Sequence, residues 1–196
     1  MIPKSATLVF LGRSGSGKDT QVDFLLEQKE FSGAIKVETG DLFREFAQKD
    51  SLLAKKAKEI LDNGWLQPYW FAFSMWLFYI REKVKNGEIL LASGSPRTLK
   101  ETQIEDEVLE FMGRPSSVAV FLNISGEEAK RRLLLRARHD DTENGIANRM
   151  DYFGRDVVPI VEHYRTEGRL IEINGEQNPE EVFREFGKKL EAYFAK

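Results

Sequence analysis

A glycine-rich segment that contains one lysine follows the first apolar run of the sequence. The run at residues 8–11 is Leu-Val-Phe-Leu, which predicts a buried strand, and residues 12–21 are Gly-Arg-Ser-Gly-Ser-Gly-Lys-Asp-Thr-Gln. Gly12, Gly17 and Lys18 have the spacing of a P-loop, in which glycines let successive backbone N–H groups face an anion. A helix beginning at Lys18 adds the positive end of its dipole, and the lysine adds a mobile charge for terminal phosphates. The segment therefore predicts a polyphosphate site rather than a plain turn between a strand and a helix.

Asp19 occupies the position after the lysine, where a P-loop usually has Ser or Thr, and Thr20 follows one residue later. The negative charge of Asp19 conflicts with a phosphate site unless its side chain points away or holds a metal ion or a water. Both interpretations stay open at this stage.

Isolated arginines follow predicted strands or stand beside glycine-rich turns. They are Arg44, Arg97, Arg136, Arg138 and Arg149. A guanidinium group binds phosphate through two donors and keeps its charge, so a ring of such groups neutralises two polyphosphates that must approach each other. Any one of these arginines alone is more simply a solvated surface charge. As a set beside a P-loop, they indicate phosphoryl transfer.

Five apolar runs alternate with helical patterns along the chain. Strands are predicted at about 7–11, 35–38, 89–92, 118–122 and 170–173. Helices are predicted at about 18–28, 41–48, 51–63, 68–85, 103–112, 127–138, 149–168 and 179–194, with Asp41 as a cap and Pro159 as a candidate kink. The alternation predicts a three-layer α/β/α fold with a five-stranded parallel sheet, in a single domain over residues 1–196. Ligands bind such sheets beyond the carboxyl ends of the strands, so the P-loop, residues 39–41 and residues 94–97 are expected to converge.

Composition argues against several classes of chemistry. The chain has 196 residues, no cysteine, two histidines and a formal net charge of −3. The composition therefore allows no disulfide, thiol nucleophile or cysteine-bound zinc, and two isolated histidines do not make a zinc site. The balanced charge argues against a general affinity for polyanions, and no apolar run reaches the ~20 residues of a membrane span. We expect a cytoplasmic monomer that binds neither nucleic acid nor membranes, and the N-terminal residues lack a signal-peptide pattern.

Several motifs together resemble the adenylate kinases and the wider family of nucleoside monophosphate kinases. Residues 12–21 are similar to the family P-loop, and residues 39–44 (Thr-Gly-Asp-Leu-Phe-Arg) are similar to its monophosphate-site motif. Residues 63–68 (Asn-Gly-Trp-Leu-Gln-Pro) look like the segment that closes over the acceptor base, and residues 94–98 (Gly-Ser-Pro-Arg-Thr) like the motif whose arginine holds the acceptor phosphate. Residues 132–149 look like a short, zinc-free lid with its flanks, and residues 174–177 like the turn that cups the ATP base. The resemblance implies a P-loop kinase that transfers the γ-phosphate of ATP to a nucleoside monophosphate, with AMP favoured and Mg²⁺ as the cofactor.

The resemblance also implies a role for each matching residue. ATP would be bound by Gly12, Ser14, Gly15, Ser16, Gly17, Lys18, Asp19, Thr20, Arg132, Arg136 and Gly175. The monophosphate would be bound by Thr39, Gly40, Arg44, Leu66, Gln67, Gly94, Arg97, Gln103, Arg138 and Arg149. Catalysis would depend on Lys18, Arg97, Arg136, Arg138 and Arg149, and the lid would be ordered by Asp140 and Asp141. An insert at about 40–67 and a lid at 137–148 would close on the substrates, and Mg²⁺ would be held by ATP phosphates and waters, with Asp19 or Thr20 as a neighbour.

Three positions depart from the family pattern. Ser93 stands where the family has an aspartate that holds waters of Mg²⁺, Ser95 replaces an aromatic residue, and Glu101 replaces a glutamine that reads adenine. We hypothesise that Asp19 supplies the charge lost at Ser93, and Gln103 is a candidate for the missing glutamine. A CMP, UMP or other monophosphate kinase, and a nucleotide-binding regulatory relative without catalysis, stay open as alternatives.

Overall fold

One parallel sheet forms the centre of the computed structural model, which describes residues 2–195. Its strands are β1 (Thr7–Gly12), β2 (Ile35–Glu38), β3 (Leu90–Ser93), β4 (Val118–Asn123) and β5 (Leu170–Asn174). They lie in the order β2-β3-β1-β4-β5, and every neighbouring pair is parallel. The predicted five-stranded parallel sheet is confirmed.

Helices connect the strands of the described range. They are α1 (Lys18–Leu26), α2 (Thr39–Phe46), α3 (Leu52–Asp62), α4 (Tyr69–Lys83), α5 (Leu99–Phe111), α6 (Gly126–Arg136), α7 (Glu143–Tyr152), α8 (Val158–Thr166) and α9 (Pro179–Phe194). A 3₁₀ turn (Lys29–Phe31) precedes β2, and a π-helical turn (Phe153–Val157) joins α7 to α8. None of these helices combines the length and the apolarity that crossing a bilayer requires.

Both faces of the sheet are covered. In β1, Leu8 packs in a cluster with Val22 of α1, whereas Val9 packs in a second cluster with Tyr164 of α8. Because successive side chains of a strand point to opposite faces, a strand that is buried along its length needs helices on both sides. The sequence of β1 is therefore apolar without alternation, and the three-layer architecture is confirmed.

A smaller apolar cluster lies under the first insert. Phe43 of α2 and Ala57 of α3 pack with Phe71 and Ala72 of α4. The rings of Phe43 and Phe71 meet edge to face, with their centroids 4.9 Å apart. The helices α2 and α3 are thus attached to α4 by a core of their own, beside the main sheet.

The start of α2 differs from the prediction. The helix begins at Thr39 directly after β2, so Asp41 lies in its first turn and does not cap it. The carboxylate of Asp41 instead accepts a hydrogen bond from Arg44 Nε at 3.0 Å. Because the strand passes into the helix without a loop, Glu38, the last residue of β2, takes the N-cap position, and its side chain makes no cap hydrogen bond.

The helix α5 begins earlier than predicted, at Leu99 rather than at residue 103. The side chain of Thr98 accepts a hydrogen bond from the backbone N–H of Glu101 at 3.2 Å. This is the N-cap contact of a Thr-x-x-Glu capping box, a sequence signal that accounts for the earlier start.

The predicted helix over 149–168 begins instead at Glu143, because Thr142 Oγ1 caps α7 by accepting the N–H of Gly145 at 3.0 Å. The helix α6 ends at Arg136, where Ala137 takes a left-handed backbone with φ 49°. Only residues 137–142 of the predicted lid therefore lie outside helices. Pro159 lies in the first turn of α8, directly after the π-helical turn, as expected for a residue that cannot donate a helical hydrogen bond.

Candidate active site

A cavity of about 570 Å³ opens at the carboxyl ends of β1, β2 and β3. The P-loop, the start of α2 and the segment after β3 line it, and they converge as predicted. The predicted site residues that line it are Ser14, Gly15, Gly17, Lys18, Asp19, Thr20, Thr39, Gly40, Arg44, Leu66, Gln67, Gly94, Arg97, Arg132, Arg136, Arg138, Asp140 and Arg149. The predicted site residues outside its lining are Gly12, Ser16, Gln103, Asp141 and Gly175.

The P-loop closes on its own lysine. Lys18 Nζ donates to the carbonyl oxygens of Gly12 at 3.1 Å and of Arg13 at 2.9 Å. A Cβ atom on Gly12 would lie 2.6 Å from Ser16 Oγ and 2.7 Å from the Leu122 carbonyl oxygen, so only glycine fits there. Gly12 and Ser16 thus shape the loop from behind the cavity. Burial lowers the pKa of Lys18 to about 8 although Asp19 raises it, and a polyphosphate would restore the charge of the lysine.

Two aspartates between α6 and α7 hold Arg136 and Arg149. Asp141 accepts hydrogen bonds from Arg136 Nε at 2.9 Å and Nη2 at 2.7 Å, and Arg149 contacts both Asp140 and Asp141. Burial would raise the pKa of Asp141, but the hydrogen bond from Arg136 lowers it below its ordinary value. The side chain of Asp141 is 0% exposed beneath these arginines, so it orients them rather than lining the cavity.

Two further arginines reach the cavity from α6 and the segment after it. Arg132 Nε donates to Glu128 at 2.6 Å, which fixes its guanidinium group along the helix. The guanidinium group of Arg138 has no ion pair within residues 2–195, and the hydrogen bonds of Arg138 in that range, both to Asp141, are made by its backbone. Arg138 therefore offers its full set of donors to an anion.

On the opposite side of the cavity, α2 carries Thr39 and Arg44. Arg44 Nη2 donates to Glu38 at 3.1 Å and also contacts Asp41. Burial, followed by the charge of Asp19, raises the pKa of Glu38 to about 7. Thr39 Oγ1 and Gln67 Oε1 are buried and lack a hydrogen-bond partner in the described part of the chain. Buried polar atoms in this state are stabilised by a ligand that brings complementary groups.

Arg97 extends from the loop after β3 into the cavity, where its Nε donates to the Gly94 carbonyl oxygen at 2.8 Å. Glu101 lines the cavity nearby, but Glu101 Oε2 accepts from the Arg97 N–H at 2.9 Å and its Oε1 from Thr98 Oγ1 at 3.1 Å. Burial raises the pKa of Glu101.

Gln103 is exposed on α5, because the early start of that helix turns position 103 away from the cavity. The geometry gives no support to Gln103 as a reader of the acceptor base.

Ser93 and Asp19 meet at the floor of the cavity. The register of the sheet sets Ser93 beside Phe10 of β1 and Glu38 of β2. Ser93 Oγ donates to Asp19 Oδ1 at 2.5 Å. The carboxylate of Asp19 is therefore in direct contact with the side chain of residue 93 at the cavity floor. It does not point away from the P-loop.

Two further residues at the cavity were not assigned to the site by the sequence analysis. Tyr152 lines the cavity through a hydroxyl that contacts Arg97, and Glu38 does so through a carboxylate beside Arg44. An acid at the last position of a strand is a weak signal that points to Glu38, and no motif points to Tyr152.

Across residues 2–195, no cluster of three or more His, Cys, Asp or Glu side chains has the arrangement of a metal site.

The fold and the site define a P-loop protein whose cavity combines a polyphosphate loop with arginines from three further segments. The family model described as "Adenylate kinase" matches residues 10–169, so this chain belongs to the adenylate kinase family, whose members are enzymes that generally use ATP with a divalent metal. The chain is 32% identical over 188 residues to "Adenylate kinase 1" of Nostoc sp., covering 93% of this chain and 97% of that protein. It is 33% identical over 175 residues to the adenylate kinase of Prochlorococcus marinus (89% and 91% covered) and 31% identical over 180 residues to that of Thermus thermophilus (90% and 92%).

Proposed function

We propose that the protein transfers the γ-phosphate of ATP to AMP and produces two molecules of ADP. An oxygen of the AMP phosphate forms a bond to the γ-phosphorus, while the bond from that phosphorus to the bridging oxygen of ATP breaks. The observation that carries this proposal is that Lys18, Arg97 and Arg138 face one cavity from three different segments. Two polyanions approach in line only where fixed cations neutralise both of them.

The donor half of the cavity would hold ATP. The backbone of Gly15 and Gly17 and the side chain of Lys18 would bind the β- and γ-phosphates, with Ser14, Ser16 and Thr20 in the same loop and Gly12 behind it. Arg132 and Arg136 approach from α6, where they are positioned to cover the nucleotide. Gly175 follows β5 and donates its N–H to the Asn123 carbonyl oxygen at the end of β4, and from there it would cup the base.

The acceptor half would hold AMP. Arg44 and Arg97 would bind its phosphate, and the base would lie between Gly40, Leu66 and Gly94 on the same side of the cavity. The buried, unpartnered oxygens of Thr39 and Gln67 provide groups that the edge of a base can pair with.

The segments at 40–67 and 137–148 would act as the mobile insert and lid. Asn148 Nδ2 of α7 donates to the Asn63 carbonyl oxygen at 2.8 Å, so the two segments touch across the cavity. Closure of this kind excludes water and so limits hydrolysis of ATP. The arginines that Asp140 and Asp141 hold would enter the site together with the lid.

Mg²⁺ would reach the site bound to ATP and would neutralise charge on its phosphates. The donor set fits a hydrated ion, because one carboxylate, Asp19, stands beside the hydroxyl-bearing Thr20 at the cavity. Contact with Ser93 supports our hypothesis that Asp19 replaces a carboxylate at position 93.

Exchange of the two positions tests this hypothesis about Asp19. Asp19→Gly should weaken the Mg²⁺-dependent binding of a non-hydrolysable ATP analogue, measured by calorimetry, and should lower turnover. Ser93→Asp added to Asp19→Gly should recover both. A double variant that recovers neither contradicts the exchange.

The acceptor is tested by measuring ADP formation at fixed ATP with AMP, CMP or UMP. The highest kcat/KM is expected with AMP. Preference for CMP or UMP would make the protein a different monophosphate kinase, and ADP formation with none of them would make it a binding protein without catalysis. Monomeric state and cytoplasmic location remain predictions, which size-exclusion chromatography and cell fractionation test.

A further inference from the structure

Tyr152 is the last residue of α7 and is 6% exposed. Its ring packs in the apolar cluster that contains Val9 and Leu11 of β1, so the core of the protein fixes the position of the ring. Its side chain also lines the cavity. The hydroxyl group is therefore held at the boundary between the core and the site.

That hydroxyl connects the two halves of the site. Tyr152 Oη accepts a hydrogen bond from Arg97 Nη1 at 2.9 Å and lies 3.3 Å from Ser14 Oγ of the P-loop. Because the bond from Arg97 uses a lone pair, the hydroxyl proton of Tyr152 remains available for Ser14. One atom thus links the loop assigned to ATP with the arginine assigned to the acceptor phosphate.

The contact fixes the orientation of Arg97. Its Nε is bound to the Gly94 carbonyl oxygen and its Nη1 to Tyr152, while Nη2 has no hydrogen-bond partner in the described chain. The guanidinium plane is consequently held at two points, and its remaining donors are free for an anion. A guanidinium group that is oriented beforehand loses less entropy when it binds a phosphate.

The same helix connects Tyr152 to the lid. Arg149 lies one turn earlier on α7, on the same face, and contacts Asp140 and Asp141. One helix therefore carries both the arginine that pairs with Asp140 and Asp141 and the hydroxyl that contacts Arg97.

We propose that Tyr152 is a positioning residue, which orients Arg97 toward the acceptor phosphate and aligns it with the P-loop. This inference rests on the proposed function, because it assigns the acceptor phosphate to Arg97. Tyr152 takes no part in bond making or breaking, and its effect reaches the reaction through Arg97.

Tyr164 supplies the matched comparison. It is 1% exposed, belongs to the same apolar cluster, and its Oη lies 2.8 Å from Ser117 Oγ. Its side chain is not part of the cavity lining. Removing either hydroxyl therefore removes a side-chain hydrogen bond of a buried tyrosine, but only Tyr152 is bound to a group of the site.

The experiment compares Tyr152→Phe with Tyr164→Phe in steady-state kinetics, with AMP and ATP varied in turn. Tyr152→Phe should lower kcat/KM for AMP about tenfold or more, while the dissociation constant of a non-hydrolysable ATP analogue, measured by calorimetry, changes less than twofold. Tyr164→Phe should change both quantities less than twofold, although its melting temperature falls. Equal losses in the two variants, or a Tyr152→Phe loss that is the same for both nucleotides, would overturn the proposal.

The link to the P-loop has its own test. Ser14→Ala removes one partner of the Tyr152 hydroxyl and keeps the other, Arg97. The loss of kcat/KM for AMP in the double variant Ser14→Ala/Tyr152→Phe should therefore be smaller than the product of the losses in the two single variants. Losses that multiply independently would overturn the link. If the wild-type protein phosphorylates no monophosphate, the proposed function fails, which is distinct from any result of these variants.

Discussion

Arg138 differs from Arg136 and Arg149 in having no carboxylate against its guanidinium group in the described chain. The charge of Arg138 therefore contributes little to the stability of the folded protein and is available to a ligand. Arg97 is similar in this respect, since its two bonds lead to a carbonyl oxygen and a hydroxyl group. Uncompensated cations that converge on a cavity are stabilised when an anion fills it.

Removal of the Arg138 or the Arg97 side chain should therefore affect catalysis more than stability. We expect Arg138→Ala or Arg97→Ala to lower kcat at least tenfold, equivalent to ~1.4 kcal/mol in the barrier, with little change in melting temperature. Arg155→Ala is the control, because Arg155 is an exposed arginine paired with Asp151 and Asp156. Near-normal rates in both site variants would defeat the assignment of these residues to phosphate binding.

Glu105 is a buried carboxyl group whose effect is on stability. It is 4% exposed and accepts a hydrogen bond from Ser95. Burial raises its pKa well above 4.5 although Ser95 lowers it, and the charges of Glu101 and Asp106 raise it further. Between the ordinary pKa and the raised one, the folded state binds more protons than the unfolded state. The free energy of unfolding therefore falls as the pH rises through that window.

Glu105→Gln removes the ionisable carboxyl group and with it the fall in the free energy of unfolding as the pH rises. The glutamine keeps an oxygen that accepts the hydrogen bond from Ser95. We expect the variant to melt above the wild type at about pH 8, and we expect the difference to shrink as the pH approaches 4. Glu107→Gln, an exposed position on the same helix, should show no such dependence. A difference in melting temperature that is constant with pH would argue against a buried protonated carboxyl group.

At the scale of the elements, the end of α3 and the start of α7 are in contact at one edge of the cavity. The C-terminal end of α3 lies against the first turn of α7. Gly64 has φ +67°, and a Cβ atom there would lie 2.5 Å from the Gly145 carbonyl oxygen. His139 Nε2 lies 3.6 Å from Asp62 Oδ1 at the same junction. The two segments proposed to close on the substrates thus meet at backbone distance.

Gly64→Ala should disrupt this closed contact. Backbone strain from the positive φ should destabilise the fold by about 1 kcal/mol, and the clash with α7 should lower kcat/KM for both nucleotides at least fivefold. Gly113→Ala isolates the first effect, because Gly113 has φ +68° and a Cβ atom added there would meet no atom within 4 Å. The loss of kcat/KM should appear in Gly64→Ala alone; an equal loss in Gly113→Ala would show that strain, and not the clash, lowers the activity.

At the scale of the whole molecule, we expect the sheet to stay fixed while the two segments, 40–67 and 137–148, respond to ligands. The sheet residues Leu8, Leu91 and Val120 are 0% exposed, whereas the insert has a small apolar cluster of its own beside the sheet. A ligand that binds only the folded protein stabilises it by about 2.7 kcal/mol at one hundred times its dissociation constant.

Two adenosines joined by a polyphosphate should fill both halves of the cavity. We expect this ligand to raise the melting temperature and to slow amide exchange in residues 40–67 and 137–148 more than in the strands. ATP alone should protect the P-loop and the lid but leave residues 40–67 largely unchanged. Protection limited to the P-loop would contradict a shared cavity for two nucleotides.

Local patterns predict most of the elements. The bounds of β2 and α9 agree with the prediction. For α9, Asn178 caps the helix and Pro179 occupies its first turn, so both signals lie within a few residues of its start. The P-loop, Thr39, Arg44 and Arg97 are predicted at one rim from their positions after strands, and they line one cavity. Gln103 is exposed and lies outside the cavity lining, because helical phase depends on where the helix begins, and the Thr98 cap moves that start.

The sequence by itself determined the parallel α/β architecture, the phosphate loop and the supply of arginines, because hydrophobic period, glycine spacing and residue type act over short stretches of chain. Only the tertiary structure decided which of these groups meet. Ser93 reaches Asp19 across 74 positions of sequence, and Arg97 reaches Tyr152 across 55. Such pairs are set by strand register and by the packing of α7 on the sheet, and no local pattern encodes either.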